Sequence, residues 1–389
     1  MEIKLPRPGW LALATLLLLI VAGLVALVAP RMRVFMLQRE IEQLGGAIQV
    51  ERHAPAWLDR WVDEFGGDGL LAVFDNSVKT VKLGGTAVDD AWVARLAAFP
   101  EIEALDLSRT KVTDAGLAAL ERLTHLQILD LSRTDIHGPG LSILQKCSNL
   151  SYLDLYGCPV EGEALAHLSG ASRLQILDLT GAKITPGSLR HLERCTGLFN
   201  LCLEGTQVDD GDLVHVKGMT GLAILCLMDA HVTDAAAESI KDLPNLQFLD
   251  LRGTRITDAG LRPFTEAKRL TTLLVARTQV SNAGLPLVSR IPTLQALDLS
   301  GTAVSDAGMA SLSQLPNLQS LILADTAVGD AGLNALQACP KESFHLFLKN
   351  TRSTATAVAG LRAVHRGWVV DFSDAPPWTM DVDFVAVRW

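Results

Sequence analysis

The sequence predicts an α/β solenoid, a curved horseshoe with a parallel sheet on its concave face and helices on its convex face. A Leu-x-Leu step begins at Leu105, Leu129, Leu153, Leu177, Leu201, Leu225, Leu249, Leu273, Leu297 and Leu321, each 24 residues after the last, with Leu273-Leu-Val the one variant. Around each step apolar and polar residues alternate with period two, as in a strand with one buried face. Behind each step, segments such as Thr113-Asp-Ala-Gly-Leu117-Ala-Ala-Leu120-Glu-Arg-Leu123 space apolar residues three apart after a capping Thr. That pattern predicts an N-capped helix of two to three turns. A fixed repeat of this length means stacked copies of one unit, since a single unit cannot bury its own apolar face. Helices need about 8–10 Å of width and strands about 4.8 Å, so the stack bends towards its sheet.

The elements follow in chain order. Residues 1–30 form a tail and a candidate transmembrane anchor, because Trp10–Ala29 carries no charge over 20 residues, enough helix to cross roughly 30 Å of hydrocarbon. The alternative is a cleaved signal peptide, for which the run is long. The anchor makes the expected location a membrane, single-pass. Lys4 and Arg7 before the run and Arg31, Arg33 and Arg39 after it leave the side of the repeats open. Residues 31–55 read as a juxtamembrane helix and linker, with a polar helix over Arg31–Leu44 broken by Gly45-Gly46. Residues 56–80 form an N-terminal cap, where Trp57, Leu58, Trp61, Val62 and Phe65 make an apolar face at helical spacing. The repeats extend over 81–372, adding strand positions at Val81, Leu346 and Val370 to the ten perfect ones, thirteen in all. Residues 373–389, aromatic and alternating, close the other end.

Within each repeat a Thr stands five residues after the first Leu, at Thr86, Thr110, Thr134, Thr206, Thr254, Thr278, Thr302, Thr326 and Thr351. Its hydroxyl is placed to bond backbone where the chain turns. Cys147, Cys195 and Cys339 occupy a position that is elsewhere Leu, Met or Ile, so they are small core residues and not a disulfide framework. His167, His191 and His215, also 24 apart, read as a solvated row on the helices, with acid sensing the other possibility.

These repeats resemble the leucine-rich repeat family. Cys147-x-x-Leu150-x-x-Leu153-x-Leu155-x-x-Cys158-x-Val160 is similar to the cysteine-containing, ribonuclease-inhibitor-like subfamily. The recurring Thr-x-Val/Ile-Thr-Asp-Ala-Gly-Leu phrase resembles the repeats of bacterial, planctomycete-like, membrane-anchored proteins. The resemblance implies a curved solenoid that recognises other proteins.

Function is expected on the sheet. The residue after the first Leu gives Asp106, Asp130, Asp154, Asp178, Cys202, Cys226, Asp250, Leu274, Asp298 and Ile322. Stacked carboxylates repel unless backbone bonds or a cationic partner intervene. The repeat's pattern breaks in the middle: both tyrosines, Tyr152 and Tyr156, fall in one coil, and Asn200, Cys202, Glu204, Ile224, Cys226, Met228, Phe248, Asp250 and Arg252 follow. Aromatic, Met and Arg side chains anchor protein interfaces. The expected partner-binding surface is therefore these eleven residues with Asp154 and Asp178, and replacing Tyr152, Phe248 and Arg252 is expected to abolish binding without changing melting. Drift on a tolerant surface is the competing account.

Cys202 and Cys226 face each other on neighbouring strands, yet parallel neighbours align poorly for a disulfide and only Glu204 offers a third ligand, so no metal and no cofactor are expected. The formal charge of −9 and the lack of a basic stripe argue against nucleic acid. No nucleophile with its base and no phosphate-cradling loop appears, so the chain reads as a non-enzyme. The function expected is a membrane-tethered recognition module for a protein or peptide; the alternative is a structural scaffold or spacer without a discrete ligand site.

Overall fold

A computed structural model describes residues 8–53, 75–337, 339 and 342–373 of the chain. Among these residues fourteen strands form one sheet in strict sequence order. They are β1 (Ala47–His53), β2 (Asp75–Lys82), β3 (Ala104–Asp106), β4 (Ile128–Asp130), β5 (Tyr152–Asp154), β6 (Ile176–Asp178), β7 (Asn200–Cys202), β8 (Ile224–Cys226), β9 (Phe248–Asp250), β10 (Thr272–Leu274), β11 (Ala296–Asp298), β12 (Ser320–Ile322), β13 (Phe344–Phe347) and β14 (Trp368–Asp371). From β2 onward every pair is parallel, and each leucine lies opposite the leucine one coil away, as Leu225 does opposite Leu249. All thirteen strand positions expected from the period are present.

The leucine spine is the core. Leu105, Leu129, Leu153, Leu177, Leu201, Leu225, Leu249, Leu273 and Leu321 are fully buried, as are the second leucines of each step such as Leu203 and Leu251. Burying apolar side chains stabilises by roughly 1.5–3 kcal/mol each, and the period ensures that each coil adds to the same layer. The threonines act as expected, but inside their own coils: Thr110, Thr206, Thr254 and Thr278 each donate to the carbonyl three residues back at 2.6 Å.

The convex segments are shorter than expected. Several are single 3₁₀ turns, including Ser188–Leu192 and Asp212–Val216, and the longest of the ten perfect coils' α-helices, such as Asp234–Ile240, have 7 residues. A 24-residue coil must also supply a strand and two turns, and 3₁₀ geometry covers more length per residue. The caps form as expected at Thr113, Thr233 and Thr257, which accept from the backbone N–H two residues on, but not at the equivalent Thr185, where the helix begins after Gly187 without a side-chain cap.

The aspartate that follows each cap does more than cap. Asp234 accepts both the backbone N–H of Thr257, at 2.8 Å, and its hydroxyl, at 2.6 Å, from the next coil. Asp90 does the same for Thr113, Asp210 for Thr233, Asp258 for Ser281 and Asp330 for Thr354. These carboxylates staple coil to coil along the convex side. Beside them, His191 and His215 are half-buried and lie against Glu163 and Glu193 of the preceding coil, so the histidine row is not simply solvated.

The expectation of a single-pass membrane anchor over residues 10–29 is overturned. Among the described residues no helix is long and apolar enough to cross a membrane. The apolar run is not a separate element: it opens one helix, α1 (Pro8–Gln43), that continues through Pro30 into a charged second half. That second half is part of the solenoid and not a juxtamembrane spacer. Val34, Leu37 and Ile41 are buried against the first coil, and Glu40 bonds Trp92 at 2.9 Å and pairs with Arg95. The spacing of Val34, Leu37, Ile41 and Leu44 puts them on one face, which is what covers the open end. The α1 helix stops in a Schellman arrangement, with Gly45 at φ +83° and Gly46 N–H bonded to Ile41 O at 2.9 Å. The chain then returns as β1, antiparallel to β2. The expected caps at Trp57–Phe65 and Trp378–Trp389 lie outside the described residues.

Candidate partner-binding surface

Alternation along each strand sends the leucine inward and its two neighbours to the sheet's outer face, and the register lines these up into rows across the coils. One row runs Asp106, Asp130, Asp154, Asp178, Cys202, Cys226, Asp250, Leu274, Asp298, Ile322. All the residues expected at the partner surface lie on this face or on the turns that leave it. They differ in how far they reach out of it.

Asn200, Cys202, Ile224, Cys226 and Asp250 are buried. Short side chains on a curved sheet are covered by their neighbours, so these five make the floor. Cys202, Ile224 and Cys226 form a small apolar cluster with Ala223, separate from the main core, and Phe248 packs on it. Both thiols are free. The Cys202 thiol donates to Asn200 Oδ1 at 3.5 Å. Hydrogen bonding of the Cys226 thiol to Cys202, together with burial, pushes Cys226 well up, so Cys226 is not a ready thiolate.

Tyr152, Asp154, Asp178, Glu204, Met228, Phe248 and Arg252 are half-buried and Tyr156 is exposed. The Tyr152 hydroxyl donates to Asp154 Oδ2 at 3.2 Å, and the Tyr156 ring lies beneath the Arg133 guanidinium, 5.1 Å from its centroid. Burial raises Glu204, and the Asp250 carboxylate adds to that. Arg252 folds back over Asp250 in a forked pair: Nε lies 2.9 and 3.0 Å from the two oxygens and Nη2 lies 2.5 Å from Oδ2. Only 13 % of the Arg252 side chain and 1 % of Asp250 are exposed. The expectation that Arg252 can be removed without affecting melting is therefore corrected, because it neutralises a buried carboxylate.

The aspartate row is held by backbone. Asp106, Asp130, Asp154, Asp178, Asp250 and Asp298 each accept the N–H two residues on, at 2.8–3.0 Å. That does not cancel their repulsion. Burial and then the neighbouring Asp178 push Asp154 up to about 7, and burial likewise raises Asp130 and Asp298. Because the folded value of Asp154 lies above its ordinary 3.8, its protonated form favours the fold. That contribution is complete below about pH 4 and is lost as pH rises through about 7. Asp154→Asn keeps the acceptor for Tyr156 N–H and removes the charge. The variant should gain about 1–2 kcal/mol over the parent at pH 8 relative to pH 5, after discounting for partial exposure. Urea titrations at the two pH values measure this, and equal gains at both would contradict it.

Residues that the sequence reading passed over also shape the wall. Arg133 caps Tyr156. Arg109, Arg133 and Arg277 sit at φ between 53° and 56°, where other coils have glycine, such as Gly157, Gly181 and Gly253. The signal was present in the sequence as Arg in place of Gly at a position that demands left-handed backbone. Asp298 stood in the aspartate row without being singled out, and Ser320 was passed over: both are buried, and Asp298 Oδ2 and Ser320 Oγ have no hydrogen-bond partner.

The stacked strand-turn-helix coils with an all-parallel sheet on one side define a solenoid repeat protein. The profile described as a leucine-rich repeat region matches residues 79–357, and the chain belongs to that family. Among solved structures, an internalin from Listeria monocytogenes is similar, at 22 % identity with a TM-score of 0.57, the match covering 78 % of this chain and 91 % of that one. A leucine-rich repeat protein from Leptospira interrogans matches at 16 % identity and a TM-score of 0.51, over 72 % of this chain and 80 % of that one. No curated protein sequence matches. At these identities the likeness extends to the fold.

Proposed function

We infer that the concave sheet from β5 to β9 is a docking surface for a protein or peptide, with Tyr152, Tyr156 and Phe248 as its protruding anchors. The observation that supports this is the break in the repeat's own row, where aspartate gives way to Cys202 and Cys226. With Ile224 they make an apolar floor on which the half-exposed Phe248 rests, and two tyrosines flank it. An apolar centre with aromatic anchors and a polar border is the anatomy of a protein interface. Asp154, Asp178, Glu204, Met228 and Arg252 supply the border, and Asn200, Cys202, Ile224, Cys226 and Asp250 hold it from below. Membership in a family of regular stacked repeats, which present a long continuous surface, agrees with recognition.

A photo-crosslinking side chain at Tyr156 or Phe248 should capture one and the same partner in the protein's own cells, and one at the exposed convex Lys217 should not. Tyr152→Ala combined with Phe248→Ala should lower that yield at least tenfold. Equal capture from Lys217, or crosslinks only between copies of this chain, would sink the docking reading and favour a scaffold.

A further inference from the structure

The docking wall is strongly one-signed. Asp106, Asp130, Asp154, Asp178, Asp250 and Asp298 share one row that Lys82 opens, with Glu204 beside it, and the cations on its middle coils include Arg252 and, over Tyr156, Arg133. Arg252 faces three carboxylates, Asp250, Asp298 and Glu204. Its fork is spent on Asp250. Asp298, fully buried, gives Oδ1 to the N–H and hydroxyl of Ser300, while its Oδ2 has no partner. On the adjacent strand and the same face, two residues before the position opposite Asp298, Ser320 is 8 % exposed and its buried hydroxyl is also unpartnered. One of these oxygens can only accept and the other can accept, so the group that satisfies both is a multiple N–H donor. An ammonium or guanidinium also answers the missing charge.

We propose that the concave wall binds an extended cationic polypeptide segment whose basic side chains lie along the aspartate row, one of them ending between Asp298 and Ser320. The proposal rests on the docking reading and adds the partner's chemistry. From β4 to β11 the row crosses seven strand intervals of about 4.8 Å, which an extended chain of about ten residues spans at roughly 3.4 Å each. Acid side chains lining a concavity also focus the field on an approaching cation.

Fluorescence anisotropy on the full chain tests this with two labelled ten-residue peptides, one alternating Lys and Ser and one alternating Glu and Ser. The basic peptide should bind at least tenfold tighter, and should lose at least fivefold in affinity between 50 and 300 mM salt. Asp298→Asn and Ser320→Ala should each weaken it three- to tenfold, whereas Glu238→Gln on the convex side should not. Equal affinity for the two peptides would overturn the proposal. So would unchanged binding by both Asp298→Asn and Ser320→Ala, which would mean that internal water or a proton fills the site. If the basic peptide fails while crosslinking from Tyr156 and Phe248 still captures a partner, only the cationic assignment falls. If both fail, the docking reading falls with it.

Discussion

Replacing Arg252 by alanine is expected to lower the unfolding free energy by about 3–5 kcal/mol, the cost of leaving a buried carboxylate without its partner. Asp250 is 1 % exposed and would keep only the backbone N–H of residue 252. The row on either side of it is apolar, with Cys226 and Leu274 opposite it on β8 and β10. An aliphatic residue therefore fits where the carboxylate sits. Asp250→Leu together with Arg252→Ala should melt close to the parent, since replacing a buried pair by apolar side chains is often neutral. Asp250→Leu alone should fall between the two, because it frees the guanidinium to face Asp298 and Glu204. Chemical denaturation of the two single variants and the double variant gives the coupling energy directly. An Arg252→Ala variant within about 0.5 kcal/mol of the parent would show that water reaches Asp250 and that the pair is a surface feature.

The period made the sheet legible because its cause is repeated: a leucine that fails to face the core at one coil would break the layer shared with two others. Thr110 and its equivalents were legible for the same reason, since each bonds a carbonyl three residues away in its own sequence. Relations between coils were harder to read. Nothing in Thr233-Asp234 says that the carboxylate will reach forward 23 residues to Thr257, and a capping role explains the pair equally well at the level of sequence. The same limit hid the burial of Asn200, Cys202 and Ile224, because the period gives the direction of a side chain and not what its neighbours cover. The α1 helix shows a different limit. An apolar run of 20 residues was read by length alone, whereas the helix that contains it runs 36 residues and uses Val34, Leu37 and Ile41 to close the stack.

A glycine exchange with opposite signs at two helical sites tests the inter-coil staple. In a helix Gly→Ala normally stabilises by about 0.5–1 kcal/mol. Gly360, in the helix Ala355–Val364, has open space where a Cβ would stand, so Gly360→Ala should give that gain. Gly260 follows its helix start by two residues, and a Cβ there would stand 2.3 Å from Asp234 Oδ1, the oxygen that holds Thr257 N–H. The carboxylate must leave, and Thr257 loses two charge-assisted bonds at once. Each lost bond costs about 1.5–3 kcal/mol when its donor is left partly buried, against which the helical gain is small. Gly260→Ala should therefore destabilise by about 2–4 kcal/mol. The same contact recurs at Gly116 with Asp90, Gly284 with Asp258 and Gly332 with Asp306, at 2.4–2.5 Å, so the effect belongs to the repeat. Thermal and urea unfolding of the two variants decides it. A gain at Gly260 as well as at Gly360 would mean that the carboxylate relocates freely and that the coils are held by the leucine spine alone. Adding Asp234→Ala to Gly260→Ala should cost little more, because the bond that both changes break is the same one.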